Sequence, residues 1–312
     1  MTDTPRDHGG GLDAAIALFG GHRADWLDLS TGINPVPYPV GPVAADAWTA
    51  LPDKAATDRL IRAARNFWDV PADAHILPSN GASALIAAMP HVMRGKSAAI
   101  PTPTYNEHAA AFRAQNYALT DGMADVRVLV HPNNPDGRLW GAQELTRGPT
   151  VLDESFCDSC PQHSHTAQAG RSDLVVLKSF GKFWGLAGMR LGFVIASPEV
   201  VARCRDEIGP WAVSGPALEI GATALEDVAW ADATRARLSR DAERLDALMA
   251  KSGIPSVGGT SLFRLYEVDN AASWQEKLAS GHVWSRIFPY SDRWLRLGLP
   301  APDRWDQLEA AL

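Results

Sequence analysis

A lysine that follows an apolar run carries the first chemical signal in this chain. Lys182 lies in Ser179-Phe-Gly-Lys182-Phe-Trp-Gly-Leu-Ala-Gly-Met-Arg190, just past a strand-like stretch over residues 174–177. Apolar and aromatic surroundings solvate an amine poorly, which lowers its pKa and frees it to condense with a carbonyl as a Schiff base. Arg190, eight residues on, is a candidate fixed cation for a phosphate, and Ser179 a candidate hydroxyl donor. Asp153 ends the apolar run of Val151-Leu-Asp153-Glu-Ser-Phe156. A buried acid there is costly unless it meets a cation, and a protonated pyridine nitrogen would satisfy it. His131-Pro-Asn133-Asn134-Pro135-Asp-Gly137 follows another such run, and its turn residues hold the Asn134 amide in a fixed direction. Taken singly, each also has a bland reading: a surface lysine, a structural acid at a strand end, an ordinary Asn-Pro turn.

Positioning these groups requires strands that end on one edge. Short apolar runs at 75–77, 98–100, 126–130, 150–153, 174–177 and 191–196 alternate with helical stretches and polar turns. That alternation predicts an α/β fold with a mostly parallel sheet and ligands at the carboxyl ends of its strands. Residues 222–250 then read as one long helical stretch, rich in Ala, Arg, Leu and Asp, stopped by Gly253 and Pro255. A smaller α/β domain follows, with strand-like segments at 261–268 and 293–297 and a closing helix carrying Trp305 and Leu308 on one face. Gly32, Pro35, Pro37 and Pro39 exclude regular structure near the start, so that segment is expected to be an extended arm. The expected division is residues 1–40 as an arm belonging to the small domain, 41–208 as the large domain and 209–312 as the small one.

The 312 residues are 46% hydrophobic and 21% charged, a globular profile. A net charge of -7 leaves no basic face for nucleic acid, so an anionic ligand must meet a local site. No run of eighteen apolar residues predicts a membrane span, and the first residues carry no apolar signal stretch. Three cysteines make a disulfide framework a poor reading and a reducing cytoplasm the expected compartment.

In their order along the chain, the Asn-Pro turn, the Asp-Glu strand end and Ser-x-x-Lys with its later arginine resemble the fold type I pyridoxal-phosphate enzymes of the class I/II aminotransferase group. That resemblance implies a pyridoxal 5'-phosphate cofactor, with Lys182 as its catalytic Schiff-base residue, Asp153 on the ring nitrogen and Asn134 on the phenolate oxygen. It places Arg190 and Ser179 on the phosphate. Ser79-Asn80-Gly81-Ala82-Ser83 is similar to the group's phosphate cup at a helix start, a sound use of the helix dipole. Pro103-Thr104-Tyr105 is similar to the segment whose ring stacks on the pyridine. The likeness runs from His8 to the end of the chain.

Within the group, three segments resemble the cobalamin-biosynthesis branch of threonine-phosphate decarboxylases, relatives of the histidinol-phosphate aminotransferases. They are His8-Gly9-Gly10 with Leu29-Ser-Thr-Gly-Ile-Asn34-Pro35, then Pro103-Thr-Tyr-Asn-Glu-His108, and Trp294-Leu-Arg296-Leu-Gly-Leu-Pro300. The implied activity is a lyase reaction, decarboxylation of L-threonine O-3-phosphate to aminopropanol phosphate; the alternative is an aminotransferase of the histidinol-phosphate type. By the same likeness Arg296 grips the substrate carboxylate, His8 and Asn34 lie near the substrate with His8 toward its phosphate, and the enzyme is a homodimer. Three positions depart from the group. Phe156 replaces a tyrosine that bonds the phenolate oxygen, Gly181 replaces a hydroxyl residue before the lysine, and Leu51 stands where relatives often carry a tyrosine that reaches the partner subunit.

Other motifs fail on their own terms. His8-Gly-Gly-Gly11 lacks the companion Gly-x-Ser-x-Gly elbow of an esterase, and Gly95-Lys96-Ser97 has Pro90 where a P-loop needs its first glycine. Without Gly-x-Gly-x-x-Gly there is no nicotinamide fingerprint. Cys157-Asp-Ser-Cys160-Pro-Gln-His163-Ser-His165 holds ligand types at short spacing, but is read as an exposed loop and no metal is expected. The eleven tryptophans are scattered and mostly packing residues, with Trp184 a candidate pocket wall beside Lys182.

Overall fold

A computed structural model of the chain describes residues 6–312. Its contacts separate two compact units: Pro37–Asn134 with Arg138–Thr234, and Met1–Val36 with Pro135–Gly137 and Arg235–Leu312. No helix among the described residues is long and apolar enough to cross a membrane.

The larger unit is built on a seven-stranded sheet. Its strands run in the order His75–Ser79, Gly192–Ala196, Leu174–Ser179, Thr150–Asp153, Val126–Val130, Ser97–Ala99, Ala118–Thr120. All neighbours are parallel except Gly192–Ala196, which is antiparallel to both strands beside it. Every residue of Thr150–Asp153 and Gly192–Ala196 is buried. A sheet covered on both faces asks for such unbroken apolar runs, which is why these strands stand out in the sequence. Leu85, Met89, Phe112, Val128, Val175 and Val201 belong to the core on one of its faces.

Helix boundaries follow local chemistry. Asp53 accepts from the Ala56 N–H at the start of Lys54–Phe67, and Ser214 from the Ala217 N–H at the start of Gly215–Glu226. The long helical stretch expected over 222–250 is two helices, Gly215–Glu226 and Val228–Lys251. Asp227 makes the break: its side chain accepts from the Trp230 N–H at 3.0 Å, and that cap starts a new helix.

The smaller unit carries an antiparallel sheet in the order Arg286–Phe288, Ser291–Gly298, Phe263–Glu267, Ser256–Thr260. Leu27–Asp28 pairs in parallel with Val283–Trp284. The tripeptide Pro135–Gly137 joins this unit by close backbone contact. Gly259 N–H donates to the Asp136 carbonyl at 2.9 Å. A Cβ on Gly137, whose φ is +74°, would lie 2.0 Å from the Gly259 carbonyl oxygen, so no side chain fits there. The proline-rich opening has no helix or strand between Asp28 and Ala45, while the helix Leu12–Phe19 precedes it, unforeseen in the sequence reading. Trp305 and Leu308 are both buried in the closing helix Trp305–Ala311.

Candidate active site

In the larger unit the strand termini gather the expected groups on one edge. Ser79 and Ser179 both stand opposite Gly192, on the two strands that flank it. Because Gly192–Ala196 runs the other way, its first residue meets the last residues of its neighbours, and Arg190 enters two residues earlier. Gly81 precedes the helix Ala82–Val92 with φ +97°, and that helix start has no side-chain cap. Its first N–H groups are therefore open to an anion, with the positive end of the helix dipole behind them. A Cβ on Gly81 would stand 2.6 Å from the Arg190 guanidinium, so the glycine lets that cation reach the helix start. Arg190 holds a left-handed φ of 54° and donates to the Ala187 carbonyl at 2.8 Å. Ala82 is buried and Ser83 exposed, while the Ser179 hydroxyl accepts from the Gly181 N–H at 3.2 Å.

Asp153 closes its strand beside Val130 on one side and Leu177 on the other. It is fully enclosed. One carboxylate oxygen accepts from the Ser155 N–H at 2.9 Å and the Ser155 hydroxyl at 2.5 Å, and the other meets His108 Nε2 at 2.9 Å. Burial pushes the Asp153 pKa up, but the His108 and Ser155 contacts outweigh it and hold the carboxyl below its usual value. The acid thus stays ionised in a dry place, ready for a cation. His108 was not among the predicted site residues; it lies in the helix Asn106–Ala114, directly after Tyr105, whose ring packs edge-on to it at 6.1 Å. Asn133 ties two loops together: its amide donates to the Pro103 carbonyl at 3.0 Å and its side-chain oxygen accepts from Thr104 at 2.6 Å. This brace sets the positions of Tyr105 and Asn134, both half-buried.

Two lysines lie near the end of Leu174–Ser179, and their surroundings assign them opposite tasks. Lys178 is buried, with Nζ 2.6 Å from Glu154 and 3.6 Å from Asp158. Burial disfavours its charge, yet the two carboxylates prevail and raise its pKa. It is a permanent cation, unfit as a nucleophile. Lys182 is half-buried, with Nζ 5.5 Å from the Phe156 ring centre. Phe156 leaves this amine an aromatic face in place of a hydroxyl.

The Lys178 cluster corrects two expectations. Asp158 accepts from the indoles of Trp68 at 2.9 Å and Trp184 at 3.1 Å, so the segment after Phe156 turns inward and Cys157 and Asp158 are buried, not exposed. Trp184 is no pocket wall: it has no exposed surface and stacks on Phe180 at 4.9 Å and on Trp230 at 5.4 Å. His131, Glu154 and Cys157 place ligand-type atoms within 4.8 Å of one another. Their lone pairs are already engaged. His131 donates from Nε2 to the His163 carbonyl and accepts at Nδ1 from the Trp140 N–H, while Glu154 holds Lys178, Ser164 and the His165 N–H. A buried ammonium 2.6 Å from Glu154 already supplies the positive charge a metal would bring.

The smaller unit holds the residues expected for substrate. Arg296 is 4% exposed, donates to the Ser30 carbonyl at 2.6 Å and lies 5.1 Å from the Phe263 ring centre. Burial, and then the charge of Arg286, lower its pKa to about 10, an electrostatic deficit that an anion would relieve. Asn34 is buried, and its side-chain oxygen accepts from Arg237 at 2.5 Å and from the Val36 N–H at 3.0 Å. His8 is exposed.

The arrangement in the larger unit can hold a phosphate at an open helix start and a cationic ring at Asp153, with Lys182 as the amine able to bind a carbonyl. Comparison with known proteins gives the same chemistry a lineage. The aminotransferase class I and II family model matches residues 119–311. The threonine-phosphate decarboxylase of a Sinorhizobium species is 40% identical over 96% of this chain and 94% of its own length. That of Pseudomonas aeruginosa is 37% identical over 98% and 97%. Among solved structures, the histidinol-phosphate aminotransferase of Sinorhizobium meliloti in complex with pyridoxal-5'-phosphate shares the fold, with TM-score 0.81 at 18% identity, covering 99% of this chain and 94% of that one.

Proposed function

We propose that this chain, which belongs to the aminotransferase class I and II family, is a pyridoxal-phosphate-dependent lyase that decarboxylates L-threonine O-3-phosphate to aminopropanol phosphate in cobalamin biosynthesis. One observation carries this: 40% identity with a threonine-phosphate decarboxylase, sustained over 96% of the chain and 94% of the relative. The fold type I architecture and the open helix start beside Arg190 fit the cofactor's phosphate, and ionised Asp153 fits its ring nitrogen.

Pyridoxal 5'-phosphate supplies an aldehyde that captures an amino group and a cationic ring that draws electrons from a bond at Cα. In our reading, Lys182 would hold the cofactor by its aldehyde when no substrate is bound. Gly81, Ala82 and Ser83 offer the helix-start N–H groups, with Ser179 and Arg190 completing the phosphate site. Asp153 keeps the ring nitrogen protonated, Asn134 bonds the phenolate oxygen, and Tyr105 stacks on the ring. Arg296 binds the substrate carboxylate, with Asn34 and His8 near the rest of the substrate. Lys182, having taken a proton from the incoming substrate ammonium, would return it to Cα where carbon dioxide departs.

We further propose a cytoplasmic homodimer. Its support is an exposed apolar set on the larger unit, Trp48 at 69%, Leu51 at 68% and Trp211 at 61% exposure, which a second copy of the chain would cover. The free thiols Cys157, Cys160 and Cys204 suit a reducing compartment.

The test is incubation with L-threonine O-3-phosphate and no keto acid while carbon dioxide is measured. Sustained release over many turnovers is expected. Release that stops after one equivalent, or none, overturns the reading.

A further inference from the structure

Arg286 and Arg296 are paired residues on adjacent antiparallel strands. Directly opposed residues share a face, so two guanidinium groups rise side by side, and like charges so placed repel. Asp28 offsets part of the charge on Arg296, and a further counter-charge comes from an unexpected place. Asp7 meets Arg286 in a bidentate pair, each oxygen 2.6 Å from a guanidinium nitrogen. The two partners differ in exposure: the Arg286 side chain is 13% exposed and that of Asp7 42%. The segment behind Asp7 is docked as well. Gly10 N–H donates to the Ser30 hydroxyl at 2.7 Å, that hydroxyl donates to Asp28 at 2.6 Å, and the Ser30 carbonyl is the group held by Arg296.

This asymmetry gives Asp7 a role. A mostly buried arginine is costly to leave bare, whereas a half-exposed carboxylate regains water cheaply when it moves away. Arg286 therefore needs an anion at all times, but not this one. The substrate of the proposed reaction carries two anionic groups, a carboxylate and a phosphate, and the structure sets two arginines side by side to receive them. We propose that Asp7 is an internal counter-anion of Arg286, displaced when the phosphate of the substrate binds and returned when the phosphorylated product leaves. The inference rests on the proposed function for the identity of that ligand. Asp7 then acts as a built-in competitor that weakens binding of every ligand needing Arg286, and so keeps the product from lodging there.

The test uses the full-length holoenzyme and two ligands. In Asp7→Asn, inorganic phosphate followed by calorimetry should bind about two- to fivefold tighter, the range set by the worth of one partly exposed ion pair. KM for L-threonine O-3-phosphate should fall by the same factor, while affinity for unphosphorylated L-threonine stays unchanged. Arg286→Gln should weaken phosphate binding, and adding Asp7→Asn to it should restore nothing; Arg286→Lys should recover part of the loss. If Asp7 merely tethers the N-terminal segment, Asp7→Asn leaves phosphate affinity equal or lower, which overturns the proposal. Tightening that persists without the Arg286 guanidinium overturns it too. Failure of every variant to release carbon dioxide removes the proposed reaction, and phosphate calorimetry still decides on Asp7.

Discussion

The two charged sites differ in how fully their partners are built in. Asp153 in the larger unit has both oxygens hydrogen-bonded and its charge secured by fixed neighbours on adjoining elements. Arg296 in the smaller unit keeps a lowered pKa, held by a carbonyl dipole and crowded by a second arginine. The first arrangement suits a group that stays through many cycles. The second leaves charge only partly compensated until an anion arrives, so it discriminates for anionic ligands. Under the proposed function, that contrast falls between the residues assigned to the cofactor and those assigned to the substrate.

The sharpest way to break this contrast is Lys182→Ala. It should leave the fold intact, abolish the visible absorption band that borohydride also removes, and cut turnover by at least about a thousandfold. Turnover near the normal rate would end the central assignment. Lys178→Met addresses the prepaid side: it leaves Glu154 and Asp158 buried without their cation, and urea denaturation should show a loss of about 3–5 kcal/mol. Next is Arg296→Ala, expected to raise KM about a hundredfold with a much smaller change in kcat if, as proposed, its guanidinium binds the substrate carboxylate. The mildest is His108→Phe. Removing that contact raises the Asp153 pKa toward its ordinary value and beyond, so the acid limb of the pH profile should move to higher pH, with kcat/KM reduced about tenfold. An unmoved acid limb would show that His108 does not govern the carboxylate.

The same Asp153 shift makes a claim about stability. Its folded pKa is depressed, so its contribution is complete above the unfolded value near 3.8 and is lost as pH falls through the folded one. Urea midpoints should therefore drop on acidification more steeply in the unaltered protein than in Asp153→Asn.

Much of the larger unit was legible because its strands are buried on both faces, which writes them as apolar runs ending at a polar residue. Asp153, Asn134 and Lys182 all follow such runs. His108 was hidden for a physical reason: it lies 45 residues from Asp153 and meets it only because a helix packs beside the strand end. No periodicity encodes that contact, though a histidine three residues after Tyr105 was a usable hint. The Lys178 cluster left a fainter mark, a lysine inside the otherwise apolar Leu174–Ser179. In the helical stretch, continuous Ala, Leu and Arg periodicity masked the break, because one capping aspartate ends a helix without any glycine or proline. The absence of helix and strand around Pro35, Pro37 and Pro39 was legible from the prolines alone, but the helix Leu12–Phe19 before them was not.

The reversed strand Gly192–Ala196 has an engineering consequence. The segment between it and Leu174–Ser179 leaves and returns at one edge, stitched by the Phe180 N–H to the Leu191 carbonyl and the Gly185 N–H to the Lys182 carbonyl. Lys182 and Arg190 thus ride on a closed loop of fixed circumference, like two clips on one clasp. A residue inserted or deleted there cannot be absorbed as slack; it would shift one clip relative to the other, so circular permutation and loop grafting belong elsewhere on this scaffold.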